Sequence, residues 1–309
     1  MGRLVAPAQL EVVSEAEHAG LGRHGPAGES LRVVLDDGRA LAVRRWPGSG
    51  TPVVLLHGLF DCGLGWKGVA AATPRPCVAV DLPGFGESAM PESSQLGSYA
   101  RDILDVLDAV GVGSFSLVGH SFGGGVAAAL AELAPERTLN LTLMAPSGFS
   151  PVAMAGMLGN RLTSRVVRRA LPLALANPVS AVGLYMLMVS NGHTPDPELL
   201  KRVMRRAFDA APGAAAANET IVAAGKDPDG FAHRRVAYDG TVSVLWGKRD
   251  VLVPASHFPP VRAALPQATF TFWDGMGHHP QRERPEQLNA YLQESTLIER
   301  PLAPAKVAA

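Results

Sequence analysis

Cysteine is nearly absent. The 309 residues hold only Cys62 and Cys77, in no C-x-x-C or Cys/His arrangement, so neither a disulfide framework nor a thiolate zinc site is expected. One bridge between the two is allowed by the count and not required. A charge excess is missing as well: 28 Lys and Arg balance 28 Asp and Glu. With no net positive field to collect phosphates or an anionic surface, nucleic acid is not an expected partner. Charged residues make up only 18% against 47% hydrophobic, too few for a disordered polyelectrolyte and enough apolar mass for one globular domain with an insertion.

The N-terminus, MGRLVAPAQLEVVSEAEHAG, lacks a basic start followed by an apolar run, and Ala6 stands where a myristoylation signal wants Ser or Thr; a cytoplasmic protein is the expectation. The uncharged stretch 170–190 reaches the length of about 20 residues that a bilayer span needs. Pro172, Asn177, Pro178 and Ser180 interrupt it, so it reads as buried or pocket-lining helices broken at the prolines, with no stable membrane span. Shallow contact with a lipid surface stays open.

Residues 31–46 alternate apolar and polar about Asp37-Gly38, which predicts a hairpin on a type I′ turn. Short runs apolar on both faces follow at 52–56, 77–80, 114–118, 139–144, 241–246 and 268–273, alternating with helical segments at 99–110, 122–134, 255–264 and 285–297. That rhythm predicts a parallel sheet covered by helices. Residues 147–238 interrupt it with helical periodicity, many Ala, Met and Arg, and no strand candidate, and read as a helical cap. The chain thus divides into an N-terminal extension (1–30), an α/β core (31–146 and 239–298), the cap insertion (147–238) and a Pro/Ala-rich tail (299–309).

Gly119-His120-Ser121-Phe122-Gly123 matches G-x-S-x-G and sits between a buried strand and an alanine-rich helix. The serine of such a motif occupies a tight, strained turn, so the positions two before and two after it must lack side chains. Gly119 and Gly123 do, with Gly124 and Gly125 in reserve. The alternative is a glycine-rich turn whose serine only caps the helix. As a nucleophile the hydroxyl needs a base, and the base needs a third group to fix its tautomer. Asp250 follows the strand 241–246 in WGKRDVLVP, and His278 follows 268–273 in GMGHHP, giving the chain order Ser, Asp, His. A turn aspartate and a polar surface loop are their non-catalytic readings.

LLHGLF, DLPGFGES, GHSFGG, WGKRDVLVP and GHHPQRERPEQL together resemble the α/β-hydrolase superfamily over residues 31–298, the cap excepted. The resemblance implies an α/β fold with a mostly parallel eight-stranded sheet flanked by helices and a helical cap. It implies Ser121 as nucleophile, His278 as general base, Asp250 as the acid that orients it, and His279 as a neighbour rather than the base. Pro280, Glu283 and Pro285 continue the pattern. Backbone N–H groups of Leu59, or of Phe60, and of Phe122 are the implied oxyanion donors, and His57 is implied to brace their loop. A serine at this position argues against the dehalogenase and epoxide hydrolase relatives, which place an aspartate there.

Other patterns are read without chemistry. The G-x-G-x-x-A of Gly84 to Ala89 starts three residues after its strand and is followed by Pro91, so no nucleotide cofactor is expected, and no metal. Asp102, Asp105 and Asp108 recur every three residues and read as a solvated helix face. Arg161, Arg165, Arg168, Arg169, Lys201, Arg202, Arg205 and Arg206 read likewise, with contact to an acidic substrate group as the alternative.

The expected reaction is acyl transfer to water on a carboxylic ester. Phe60, Phe122, Phe149 and the apolar cap favour a small to medium hydrophobic acyl or aryl substrate. Carbon–carbon, amide or lactone hydrolysis and cofactor-free perhydrolysis by the same triad form the second reading. Ligand binding without turnover is the third, since fold alone does not decide function. An apolar cap also offers a surface for a homodimer.

Overall fold

The structure, a computed structural model, describes residues 9–12, 28–59, 61–150, 166, 170 and 235–297. Nearly all of the expected cap, with its eight basic residues and the stretch 171–190, lies outside the described residues, as do Phe60 and the tail. Among the described residues no helix is long and apolar enough to cross a membrane.

Strands β1 (Gln9–Val12), β2 (Glu29–Val34) and β3 (Ala40–Trp46) pair antiparallel, and β3 joins β5 (Cys77–Val80) antiparallel. From there β5, β4 (Val53–Leu56), β6 (Phe115–His120), β7 (Thr138–Met144), β8 (Thr241–Gly247) and β9 (Thr269–Trp273) run parallel in that spatial order. The eight strands from β2 onward are the expected mostly parallel sheet. β1 adds a ninth from the N-terminal extension, Leu10 opposite Val33. It was not foreseen because four residues carry too little periodicity to register.

The inner strands are buried along their whole length, and alternate residues feed opposite faces. Val54, Leu56, Val78, Val80, Leu117 and Leu141 enter one core with Ile103, Val106 and Leu107 of α2 (Leu96–Ala109) and Val126 and Leu130 of α3 (Phe122–Leu133). Val53, Leu55, Ala79, Val118 and Leu245 enter the other. There they meet Val69 of α1 (Lys67–Ala72) and Leu288 and Leu292 of α6 (Pro285–Leu297). Between them in sequence lie α4 (Phe258–Ala264) and α5 (Pro280–Glu283). Each fully buried Leu, Val or Ile contributes about 1.5–3 kcal/mol relative to exposure, which makes this two-sided sheet a rigid platform for the loops at its ends.

Two expectations are corrected. Of Asp37-Gly38 only Gly38 has positive φ (83°), and Gly38 N–H donates to Leu35 O. A type I′ turn needs positive φ at both central residues, so the hairpin instead closes on a three-residue loop with its glycine in the left-handed conformation. Asp102 is not on a solvated face: it is buried and accepts two hydrogen bonds from the Arg39 guanidinium, at 2.7 and 2.8 Å, tying α2 to the hairpin. The exposed Asp108 pairs with Arg137. Cys62 and Cys77 are both free thiols.

Candidate active site

The sequence-predicted residues gather at the carboxyl ends of the parallel strands, where open α/β sheets place their sites. Ser121 follows β6 directly, with φ 54° and ψ −119°. For a residue with a Cβ this conformation costs about 1–3 kcal/mol and persists only where its surroundings enforce it. Here Ser121 N–H donates to Met144 O, while Ser121 O accepts N–H from Gly124 and Ser147. Ala145, just after β7, is also left-handed at φ 41° and its N–H donates to Leu245 O.

The glycines explain themselves by contact. A Cβ on Gly119 would lie 2.4 Å from Gly123 O, and one on Gly123 would lie 2.4 Å from His57 O. Gly124 and Gly125 are not spare positions: their added Cβ atoms would meet Pro146 at 2.8 Å and Ser147 O at 2.7 Å. Gly58 faces the turn from the neighbouring loop, its added Cβ being 3.0 Å from Ser121 Cβ. The 57–59 loop therefore sits directly against the candidate nucleophile because neither side intrudes.

Asp250 and His278 come together from two loops. His278 Nδ1 is 2.6 Å from Asp250 Oδ2, and both residues are buried. The other oxygen, Asp250 Oδ1, accepts the backbone N–H groups of Leu252 and Val253, each at 2.9 Å. Three donors thus fix the carboxylate, and an acceptor-only carboxylate puts the Nδ1 proton on the imidazole, leaving Nε2 with its lone pair. The loops are also joined through backbone: Arg249 N–H donates to Met276 O, and an added Cβ on Gly247 would meet Gly277 O.

The bracing groups were partly hidden from sequence reasoning. His57 is fully buried, donates through Nδ1 to Gly58 O at 2.8 Å and accepts Leu82 N–H at Nε2 at 2.9 Å. Asp81 accepts N–H from Gly63 and Glu87, so the glycine-rich 84–89 segment is knotted onto the 57–63 loop. Asp61 pairs with Arg282 at 2.7 Å, linking that loop to the histidine loop. Glu283 accepts N–H from Gly277 and His279. His120 and His279 are buried beside His278, with ring centroids 4.7 and 4.9 Å from it. Burial holds both imidazoles well below the usual histidine range, and neighbouring imidazoles and the Arg282 charge push the same way.

Leu59 is partly buried against the core. Phe122 opens α3, its ring packed edge-on to Tyr99 at 5.1 Å, and Phe149 is buried.

Residues 51–285 match the model of the alpha/beta hydrolase fold family. The chain belongs to that family. It is 31% identical over 91% of its length to the dihydrolipoyllysine-residue acetyltransferase component of the acetoin cleaving system of Pseudomonas putida, covering 72% of that protein. It is 28% identical over 83% of its length to the 2-hydroxy-6-oxononadienedioate/2-hydroxy-6-oxononatrienedioate hydrolase of Burkholderia vietnamiensis, covering 91% of it. A crystal structure of a bacterial membrane phospholipase A superimposes with a TM-score of 0.70 at 26% identity, over 87% of this chain and 86% of that one.

Proposed function

We propose that this α/β hydrolase is a serine esterase that cleaves carboxylic esters with a small to medium hydrophobic acyl or aryl group. The observation that carries the reading is the 2.6 Å pairing of His278 Nδ1 with Asp250, on a loop joined to the strained Ser121 turn by the 2.7 Å contact of His120 Nε2 with His278 O. In this mechanism Ser121 Oγ attacks the ester carbonyl carbon while His278 Nε2 takes its proton. The tetrahedral oxyanion is held by backbone N–H groups of the 59–60 loop and of Phe122, at the head of α3. Collapse breaks the carbon–oxygen bond, and the imidazolium returns the proton to the leaving alcohol. Water, deprotonated by His278, then releases the acyl group as the acid. Asp250 stabilises the imidazolium in both halves without itself becoming protonated.

A second reading, hydrolysis of a carbon–carbon bond in a diketone-like compound, is favoured by the name and 91% coverage of the Burkholderia vietnamiensis hydrolase. The same nucleophile serves, with a carbanion as leaving group. A p-nitrophenyl ester series from acetate to palmitate separates the two. Serine-dependent turnover with a chain-length optimum supports the esterase, whereas a protein that reacts with a fluorophosphonate yet is inert on every ester supports the carbon–carbon hydrolase.

A further inference from the structure

Resting on the serine-hydrolase reading of the site, we infer that His120, held in one tautomer between the His278 carbonyl and the Gln281 amide, is a positioning residue that fixes the backbone of the general base His278. His120 Nε2 lies 2.7 Å from the carbonyl oxygen of His278, 158 residues away in sequence. A carbonyl only accepts, so this nitrogen carries the proton. The imidazole is fully buried, and desolvation together with the neighbouring His278, Arg282 and His57 disfavours a second proton. Nδ1 therefore keeps a lone pair, and Gln281 Nε2, 3.2 Å away, donates to it. The reversed amide would press Gln281 Oε1 against that lone pair, so the orientation of Gln281 and the tautomer of His120 specify each other. Gly58 also approaches this nitrogen, an added Cβ there being 3.2 Å from His120 Nδ1.

Asp250 orients the ring of His278, and the Gln281 to His120 chain holds the main chain from which that ring projects. Because His120 immediately precedes Ser121, the base is registered to the nucleophile's own strand. A displacement of about 1 Å at a reacting group costs on the order of 100-fold in rate, which sets the scale of the device.

The test compares fluorophosphonate labelling rates of Ser121 and the imidazole 15N spectra of wild type, His120→Leu, His120→Gln and Gln281→Leu. Leu replaces the ring with apolar volume, whereas Gln keeps an N–H donor at the same reach. The expected result is a fall of about 30- to 100-fold in His120→Leu, recovery to within about 5-fold of wild type in His120→Gln, and a neutral Nε2–H spectrum for His120 whose Nδ1 resonance shifts in Gln281→Leu as that nitrogen loses its donor. Should His120→Leu fail to fold, Gln281→Leu decides through its spectrum and a labelling rate lowered by about 3-fold or more. Labelling of His120→Leu at the wild-type rate, or of His120→Gln as slowly as His120→Leu, overturns the inference, as does an Nδ1–H or charged His120. A wild type that no probe labels instead overturns the serine-hydrolase reading, while the wild-type and Gln281→Leu spectra still decide whether the hydrogen-bond chain exists.

Discussion

Glu283 brackets His278: its carboxylate accepts the backbone N–H of Gly277 at 2.7 Å and that of His279 at 2.9 Å. An amide offers one acceptor where the carboxylate offers two, and its NH2 is pressed against a donor. Glu283→Gln therefore loses about 1–3 kcal/mol of stability and loosens the loop that carries His278, the proposed base. The thermal midpoint and kcat/KM should both fall, and a variant with wild-type values for both removes Glu283 from the account.

Asp250→Asn meets a related conflict. Asp250 accepts from Leu252, Val253 and His278 together, so one amide orientation opposes its NH2 to the backbone donors and the other opposes it to the imidazole. The second selects the wrong histidine tautomer, and kcat should drop about 10³- to 10⁴-fold with a small change in KM. Steady-state kinetics check this, and a loss below about 10-fold contradicts the assigned role.

Two glycines give opposite outcomes for the same substitution. In Gly123→Ala the new Cβ falls 2.4 Å from His57 O and 2.6 Å from Leu56 O, backbone atoms that cannot swing away. A loss of at least about 1–3 kcal/mol is expected. Gly68 lies in α1 with nothing within 4 Å of its added Cβ, so Gly68→Ala should gain about 0.5–1 kcal/mol. Denaturant titrations of the pair test the close approach of α3 and the 57–59 loop.

Acid should destabilise the fold through His120 and His279. Both are lowered well below 6.5 in the folded chain, so folding excludes protons that the unfolded chain binds. Their contribution is intact above about pH 6.5 and is lost as pH falls below it, each histidine costing about 1.4 kcal/mol per pH unit until its folded value is reached. Thermal midpoints measured from about pH 7.5 down to about pH 5 should decline, and less steeply in His279→Gln; a flat profile contradicts the buried neutral pair.

Much of this arrangement was legible in the sequence, because the central strands are short apolar runs and the glycines mark backbone contacts. Ser121, Asp250 and His278 each follow a strand that the pattern located. The bracing residues were harder to see. Arg282 pairs with Asp61 across 221 residues, and Gln281 reaches His120 across 161. A polar side chain in a loop looks the same in sequence whether it faces solvent or a buried partner. Asp102 was misread for that reason, since a three-residue spacing places it on a helix face without revealing that Arg39 covers that face.

The most direct test of the account is the intact mass of folded protein after reaction with a fluorophosphonate, wild type beside Ser121→Ala. The account predicts one covalent adduct in the wild type, located on Ser121, and none in the variant. An unmodified wild type, or equal modification of both proteins, would contradict the assignment of Ser121 as nucleophile.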